Sequence, residues 1–218
     1  MNKLLTLLLL SFIVAGCGDN KVVDTGSGYI EGVNYRTLAT PIVTDSEQIE
    51  VMEFFWYGCP HCESFEKPLH QWQEVMPEGA VLVQSPAIWN EPMKLHAKVF
   101  FIVQNMPNNQ LIHAALFAEI MGLREVRDLN LQTEKLAVFL KGYGLSQADF
   151  KQQLSSVEIE QKLQRAIELM SQSKIEGTPA IVVNGRYVVL NESAKTVKQI
   201  MDITSYLVEK EQARLAMP

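Results

Sequence analysis

The chain of 218 residues contains only three cysteines, a minority of basic side chains and no long apolar run. So few cysteines exclude a scaffold held together by several disulfides. No stretch reaches the ~20 apolar residues that a transmembrane helix needs. Lys and Arg number 19 against 25 Asp and Glu, a net charge of −6. This balance argues against nucleic acid as the main partner, because phosphate binding needs clustered positive charge. The remaining composition, 47% hydrophobic and 20% charged, is that of a globular protein.

The first residues have the pattern of an export signal. A basic start at Lys3 precedes a short apolar core and small residues that end at Cys17. The final Val-Ala-Gly-Cys resembles a bacterial lipobox, whose cysteine is acylated before cleavage. We therefore expect residues 1–16 to be a lipoprotein signal peptide, Cys17 to carry lipid, and the protein to be periplasmic and anchored to a bacterial membrane. The alternative is an ordinary signal peptide cleaved near an incidental cysteine. Residues 17–32 are polar and glycine-rich, which predicts a flexible tether.

The globular part begins with a β-α-β pattern, which we place in a segment over 33–91. Residues 49–57 are rich in β-branched and aromatic side chains, which predicts a strand buried on both faces. Gly58 ends this strand, and Pro60 stands where the first turn of a helix favours proline. A second strand is predicted over 80–83.

The middle of the chain, over 92–173, has helical periodicity only. Apolar side chains three and four residues apart predict five helices there. The second of these is marked by Leu111, Ala115 and Ala118 and is expected to end near Gly122. The sequence therefore predicts an all-helical insertion.

The last part of the globular region, over 174–218, regains strand character. A strand predicted over 180–183 is followed by Asn184-Gly185, a strong signal for a two-residue hairpin, and a return strand over 186–190. A closing helix is predicted from about residue 194. A β-α-β half followed by a β-β-α half predicts an α/β protein with a thioredoxin fold and an inserted all-helical subdomain.

A dithiol motif, Cys59-Pro60-His61-Cys62, lies where the first strand gives way to a helix. Free backbone N–H groups and the helix dipole favour a thiolate at a helix N-terminus. His61, when protonated, adds positive charge beside the Cys59 sulfur. A Cys-x-x-Cys motif in this position predicts a redox-active pair.

Three other interpretations of this motif compete with the redox-active one. A zinc site needs further ligands, and His70, His96 and His113 form no closely spaced pair, so we expect no metal. Covalent haem would need histidine where Glu63 stands, which excludes it. A purely structural disulfide is the third alternative.

A proline at the start of a predicted strand is the second candidate site. Pro179 cannot donate to a strand ladder, and a cis bond after Thr178 would explain its position. In a thioredoxin-type fold this loop lies beside the dithiol, where its backbone edge could pair with an extended substrate peptide. The alternative is a trans proline in an ordinary turn.

An acidic residue inside an apolar strand is the third candidate. Glu53 precedes Cys59 by six positions, and a buried carboxylate is costly unless it has a partner or a function. We expect Glu53 to accept and donate the proton of the Cys62 thiol during exchange. The alternative is that Glu53 faces an exposed sheet edge. Residues 80–90 supply no lysine to pair with it.

Four segments together resemble the DsbA family of periplasmic thiol:disulfide oxidoreductases, over residues 29–218. They are residues 35–41, 53–55, 59–62 and 179–185. The resemblance implies an oxidising dithiol that needs no cofactor. It also implies a monomer that acts on reduced, unfolded secreted proteins and is reoxidised by a membrane partner of the DsbB type.

The chain departs from that family at three points, namely the expected anchor at Cys17, threonine instead of the common valine at Thr178, and the lysine missing beside Glu53. The function predicted from the dithiol and the resemblance is donation of the Cys59–Cys62 disulfide to cysteines of newly secreted proteins. The alternatives are a disulfide isomerase or reductase, and a lipid-anchored chaperone that binds peptides.

Overall fold

The structure is a computed structural model that describes residues 28–44 and 46–217. The expected signal peptide, the lipidation site Cys17 and most of the expected tether lie outside the described residues. Within the described part, no helix is both long and apolar enough to cross a membrane.

Five strands form one mixed sheet in the order β1-β5-β4-β2-β3. Strands β2 and β3 run parallel, and every other neighbouring pair is antiparallel. The strands are β1 (Tyr35–Thr37), β2 (Ile49–Phe55), β3 (Ala80–Pro86), β4 (Ala180–Val183) and β5 (Tyr187–Val189). Strand β2 therefore lies inside the sheet, and all seven of its residues are buried.

Seven α-helices accompany the sheet in the described residues. They are α1 (Pro60–Gln73), α2 (Glu91–Gln104), α3 (Asn109–Gly122), α4 (Leu129–Lys141), α5 (Gln147–Leu154), α6 (Val157–Ser173) and α7 (Val197–Leu215). The order β2-α1-β3 and then β4-β5-α7 gives the two halves of a thioredoxin fold, and α2 to α6 lie between them along the chain. The predicted fold class is confirmed.

The alternation of β2 side chains separates two hydrophobic cores. Ile49 and Val51 face a core shared with α1 and α7. Met52 and Phe54 face the opposite core, which includes residues of α2 and α6. Because side chains alternate along a strand, Glu53 shares a face with Ile49 and Val51, on the side of α1.

Pairing moves several strand bounds from their predicted positions. Strand β2 ends at Phe55 instead of residue 57, because Trp56 enters the turn that leads to α1. Strand β3 extends to Pro86, since each residue of β2 has a partner on β3 as far as the Phe55–Pro86 pair. Strand β1 was not predicted, and it pairs with β5 over only three residues.

Helix α3 ends at Gly122 as predicted, but the residues that marked it in the sequence are not the ones that form its buried face. Leu111 is 63% exposed, whereas Ile112, Leu116 and Ile120 are buried. Apolar residues occur nearly all round this helix, so the sequence periodicity alone does not fix its orientation. Packing of α3 on α2 decides which side is covered.

The predicted hairpin between β4 and β5 is confirmed. Asn184 and Gly185 both have positive φ, as a type I′ turn requires. A side chain at Gly185 would overlap the carbonyl of Ile42, whose N–H donates to the Gly185 carbonyl at 2.8 Å. The hairpin thus holds the chain segment that leads into β2.

Candidate active site

The dithiol begins immediately after the central strand β2. Cys59 is the N-cap residue of α1, and its N–H donates to the carbonyl of Trp56 at 2.9 Å. The N–H of Cys62 donates to the Cys59 carbonyl at 3.1 Å, which closes the first helical turn. This turn places both sulfurs at one end of the sheet, with Cys59 half-buried and Cys62 buried.

The two sulfurs have opposite electrostatic properties. A hydrogen bond from the Cys62 thiol is the main reason why the pKa of Cys59 falls to about 5. The Thr178 hydroxyl and the backbone N–H groups of His61 and Cys62 also stabilise the Cys59 thiolate. The pKa of Cys62 is raised, because its proton is shared with the Cys59 sulfur and because the thiol is buried. At neutral pH the pair therefore consists of a Cys59 thiolate and a Cys62 thiol.

His61 lies in the first turn of α1 with its side chain exposed to solvent. Its backbone N–H contributes to the stabilisation of the Cys59 thiolate. The predicted contribution of its imidazole stays a prediction. Pro60 occupies the first position of the helix, as predicted, where no intrahelical N–H is needed.

The Thr178–Pro179 bond is cis and lies against the dithiol, as predicted. When Cys59 is protonated, its thiol donates to the Thr178 carbonyl at a sulfur–oxygen distance of 3.4 Å. The carbonyl of Pro179 accepts a hydrogen bond from Nδ2 of Asn191 at 2.7 Å. Asn191 follows β5, and it was not identified from the sequence.

Glu53 is fully buried on the central strand, so the alternative of an exposed edge is wrong. Burial is the main cause that raises its pKa to about 8, and the charge of Glu66 adds to the rise. Gln84, its direct neighbour on β3, donates to Oε2 of Glu53 at 2.8 Å. The other carboxylate oxygen, Oε1, has no hydrogen-bond partner in the described residues. A neutral amide therefore stands beside this carboxyl, and a protonated Glu53 is favoured near neutral pH.

A partly buried polar network continues from Glu53 toward the helical insertion. Nε2 of Gln84 also donates to Oε1 of Glu66 at 2.9 Å. Oε2 of Glu66 lies 3.2 Å from Nε2 of His113, and Nδ1 of His113 lies 2.7 Å from the Tyr57 hydroxyl. Burial raises the pKa of Tyr57 well above its usual value, so its hydroxyl stays protonated.

Sequence reasoning missed most of this network. The register of two parallel strands could have identified Gln84, because it is the residue of β3 paired with Glu53. Contacts from α1 and α3 identify Glu66 and His113, and no local pattern indicates them.

Within residues 28–44 and 46–217, no group of three or more His, Cys, Asp or Glu side chains has the geometry to hold a metal ion. The zinc alternative for the Cys59–Cys62 pair therefore gains no support from the described residues.

Comparisons with known proteins agree with this geometry. A family model described as Thioredoxin matches residues 46–203. The thiol:disulfide interchange protein DsbA of Pseudomonas aeruginosa is 33% identical over 207 residues, covering 94% of this chain and 97% of that protein. The protein of the same name from Pseudomonas syringae pv. tomato is 31% identical over 192 residues, covering 88% of this chain and 86% of its own length.

Solved structures show the same likeness in three dimensions. The crystal structure of Pseudomonas aeruginosa DsbA has a TM-score of 0.73 and 29% identity, covering 85% of this chain and 96% of that chain. The crystal structure of the oxidoreductase DsbA from Xylella fastidiosa has a TM-score of 0.75 and 29% identity, covering 85% and 98%. With the dithiol at the start of α1 and the cis proline beside it, these matches establish that the chain belongs to the DsbA family of thiol:disulfide interchange proteins, within the thioredoxin family.

Proposed function

We propose that this thiol:disulfide oxidoreductase donates its Cys59–Cys62 disulfide to cysteine pairs of newly secreted proteins. The observation that carries the proposal is the low pKa of Cys59, about 5, beside a Cys62 whose pKa is raised. A thiol of low pKa is a good leaving group, and stabilisation of the reduced form makes the disulfide oxidising.

The reaction consists of two exchanges. A substrate thiolate attacks the Cys59 sulfur of the disulfide, the Cys59–Cys62 bond breaks, and its electron pair stays on Cys62. Cys62 then takes up a proton, and the substrate is bonded to Cys59. A second substrate thiolate attacks the substrate sulfur of this mixed disulfide, and Cys59 leaves as a thiolate. The substrate gains a disulfide, and the enzyme is left as the dithiol.

Glu53 is proposed as the group that donates a proton to Cys62 in the first exchange and accepts it on reoxidation. Its burial and its pKa of about 8 support this role, because the carboxyl holds a proton near neutral pH and releases it readily. The hydrogen bonding of the carboxyl supports this role as well, because Gln84 donates to Oε2 of Glu53, whereas Oε1 has no hydrogen-bond partner in the described residues.

The loop around Thr178 and Pro179 is proposed as the substrate-binding edge. Its contact with the Cys59 sulfur would bring an extended peptide alongside the reacting atom. Asn191 supports this arrangement by holding the Pro179 carbonyl.

The cellular setting is proposed from the sequence and from the family. We infer a monomer in the periplasm, anchored through lipid on Cys17, and reoxidised by a DsbB-type membrane protein. Intact mass of membrane-extracted protein tests the anchor, because an acylated Cys17 as first residue has a distinct mass. An unmodified Cys17, or a mature N-terminus elsewhere, would refute it.

Oxidation of a reduced, unfolded protein with two cysteines tests the main proposal. Each wild-type enzyme in its disulfide form should convert one substrate dithiol to a disulfide, and with Cys59→Ser the oxidation should proceed only at the uncatalysed rate. If the wild type and Cys59→Ser increased the rate of substrate oxidation equally, the protein would instead act as a chaperone. Faster rearrangement of wrong disulfides by the reduced enzyme than oxidation by the disulfide form would indicate an isomerase.

A further inference from the structure

A buried hydrogen-bond chain connects the helical insertion with the turn that carries the dithiol. Nε1 of Trp56 donates to Nδ1 of His96 at 3.0 Å. Nε2 of His96 lies 3.0 Å from Oε1 of Gln132, and the Gln132 amide donates to the carbonyl of Val126. His96 belongs to α2 and Gln132 to α4, so two helices of the insertion hold one indole ring.

The indole N–H determines which group donates and which accepts in each of these hydrogen bonds. An indole N–H only donates, so Nδ1 of His96 is the unprotonated nitrogen. Nε2 therefore carries the hydrogen and donates to Gln132, whose own amide hydrogen is directed at Val126. His96 is 4% exposed and Gln132 is 3% exposed. Burial lowers the pKa of His96 to about 4, which keeps the imidazole neutral. The planes of the imidazole and the indole are nearly parallel, at an angle of 14°.

Trp56 is in turn linked to both cysteines through its backbone. Its carbonyl accepts from the N–H of Cys59, and its own N–H helps to stabilise the Cys62 sulfur. The indole also lies over the α-carbon of Gly58, at the place that a Cβ atom would occupy. A change in the orientation of the indole would therefore alter the turn that sets the position of Cys59.

We propose that Trp56, His96 and Gln132 are positioning residues for the dithiol, through which the helical insertion fixes the turn that presents the Cys59 sulfur to its hydrogen-bond donors. The inference rests on the proposed function in one respect, namely that this dithiol is the reacting group. A buried histidine that only satisfies its neighbours would contribute to stability and would leave the properties of the sulfur unchanged.

Two substitutions at one position separate these roles. His96→Phe keeps an aromatic ring beside the indole and removes both hydrogen bonds. His96→Gln is the matched control, because its side chain presents one acceptor and one donor in the same order as the neutral imidazole. The readouts are the equilibrium constant with glutathione and the pKa of Cys59, followed by the ultraviolet absorbance of the thiolate. Neither readout needs a protein substrate.

We expect His96→Phe to raise the pKa of Cys59 and to make the disulfide less oxidising, with a roughly fivefold shift of the glutathione equilibrium, the size of one buried hydrogen bond. His96→Gln should stay within about twofold of the wild type, well below that hydrogen-bond effect. Leu140→Ala, on the same helix as Gln132, controls for general loosening of the insertion core. It should lower stability without shifting the equilibrium.

The inference is overturned if His96→Phe matches the wild type, or if His96→Gln or Leu140→Ala shifts the equilibrium as much as His96→Phe does. Should His96→Phe fail to fold, Gln132→Leu provides the same comparison, since it leaves Nε2 of His96 without an acceptor. Failure of the proposed function would look different. A wild type that oxidises no substrate would refute disulfide donation and would still allow the shift between the two His96 variants to be measured.

Discussion

Cys59 and Cys62 are separated by two residues, yet their surroundings impose opposite chemistry on them. Cys59 is half-buried at the open end of α1, where backbone N–H groups and the Thr178 hydroxyl donate to its sulfur. Cys62 is buried against the core of the helical insertion, and its thiol donates to Cys59. The comparison shows that hydrogen-bond donors and solvent access, not the type of residue, decide which sulfur carries the charge.

Two acidic residues near the dithiol also have different surroundings. Glu53 is enclosed in the sheet beside a neutral amide, and its pKa is raised to about 8. Glu66 on α1 has Nε2 of His70 and Nε2 of His113 close to one of its oxygens. The buried side of the turn thus holds a carboxyl that keeps its proton, whereas the exposed side holds a thiolate. An exchange reaction needs both, since one sulfur must leave as an anion and the other must be protonated.

The largest expected effect tests the division of roles between the cysteines. Cys62→Ser mixed with a disulfide-bonded substrate should accumulate a mixed disulfide, because the Cys59 thiolate attacks the substrate disulfide, one substrate sulfur leaves as a thiolate, and no Cys62 thiol remains to displace the substrate from Cys59. Cys59→Ser should form none, since the remaining thiol is buried and its pKa is raised. Mass spectrometry after acid quenching measures both. Trapping through Cys62 instead would reverse the assignment of the two sulfurs.

The next effect concerns the stability of the oxidised protein, in which no active-site thiol titrates. Beside the reduced dithiol the folded pKa of Glu53 is about 8 and its ordinary value is 4.5, and the two largest causes of the rise, burial and the charge of Glu66, are also present in the disulfide form. A raised pKa contributes stability fully below pH 4.5, and this contribution is lost as pH rises through 8. The free energy of unfolding should therefore fall by on the order of 4 kcal/mol over this range.

Glu53→Gln, which mimics the protonated carboxyl, removes this pH dependence. Denaturant unfolding of the disulfide form between pH 4.5 and 8.5 should give a flatter profile for the variant than for the wild type. Parallel profiles would show that Glu53 titrates normally in the folded protein.

A smaller effect distinguishes the two redox forms. The pKa of Cys59 is lowered from 9.0 to about 5, so the thiolate contributes stability fully above pH 9 and loses it as pH falls through 5. From pH 5 to pH 7, the free energy of unfolding of the reduced form should therefore rise by about 1–2 kcal/mol relative to that of the disulfide form. This figure allows for solvent screening of a half-exposed group.

Unfolding of both forms at these two pH values measures this gain in stability. His61→Ala keeps the backbone N–H and removes the imidazole, and we expect it to reduce the gain. An unchanged gain would show that the imidazole of His61 takes no part. Equal pH dependence of the two redox forms would contradict a stabilised Cys59 thiolate altogether.

The smallest expected effect is that of a single hydroxyl. Thr178→Val removes a donor to the Cys59 thiolate and should raise its pKa by up to about one unit. Thr178→Ser retains the hydroxyl and is the control. The pH dependence of Cys59 alkylation gives the pKa of each variant. Equal shifts in both variants would assign the effect to packing and not to the hydrogen bond.

Local patterns predicted the elements that depend on neighbours in the chain. The strand that precedes Cys59, the helix that starts at Pro60 and the Asn184-Gly185 hairpin follow from side-chain alternation, proline placement and turn chemistry. The polar end of β3 could not be predicted from its local sequence, because only pairing with β2 makes it a strand. The orientation of α3 could not be predicted either, since its sequence is apolar on nearly every side.

Sequence by itself determined the reacting pair, the helix that begins at it, the fold class and the proline expected beside it, because each of these has a compact local signature. The tertiary structure decided which groups surround that pair. Gln84, Glu66 and His113 meet Glu53 only through strand register and helix packing. His96 and Gln132 reach Trp56 from separate helices of the insertion. Contacts between residues distant in the chain leave no periodic pattern, and they set the pKa values on which the chemistry depends.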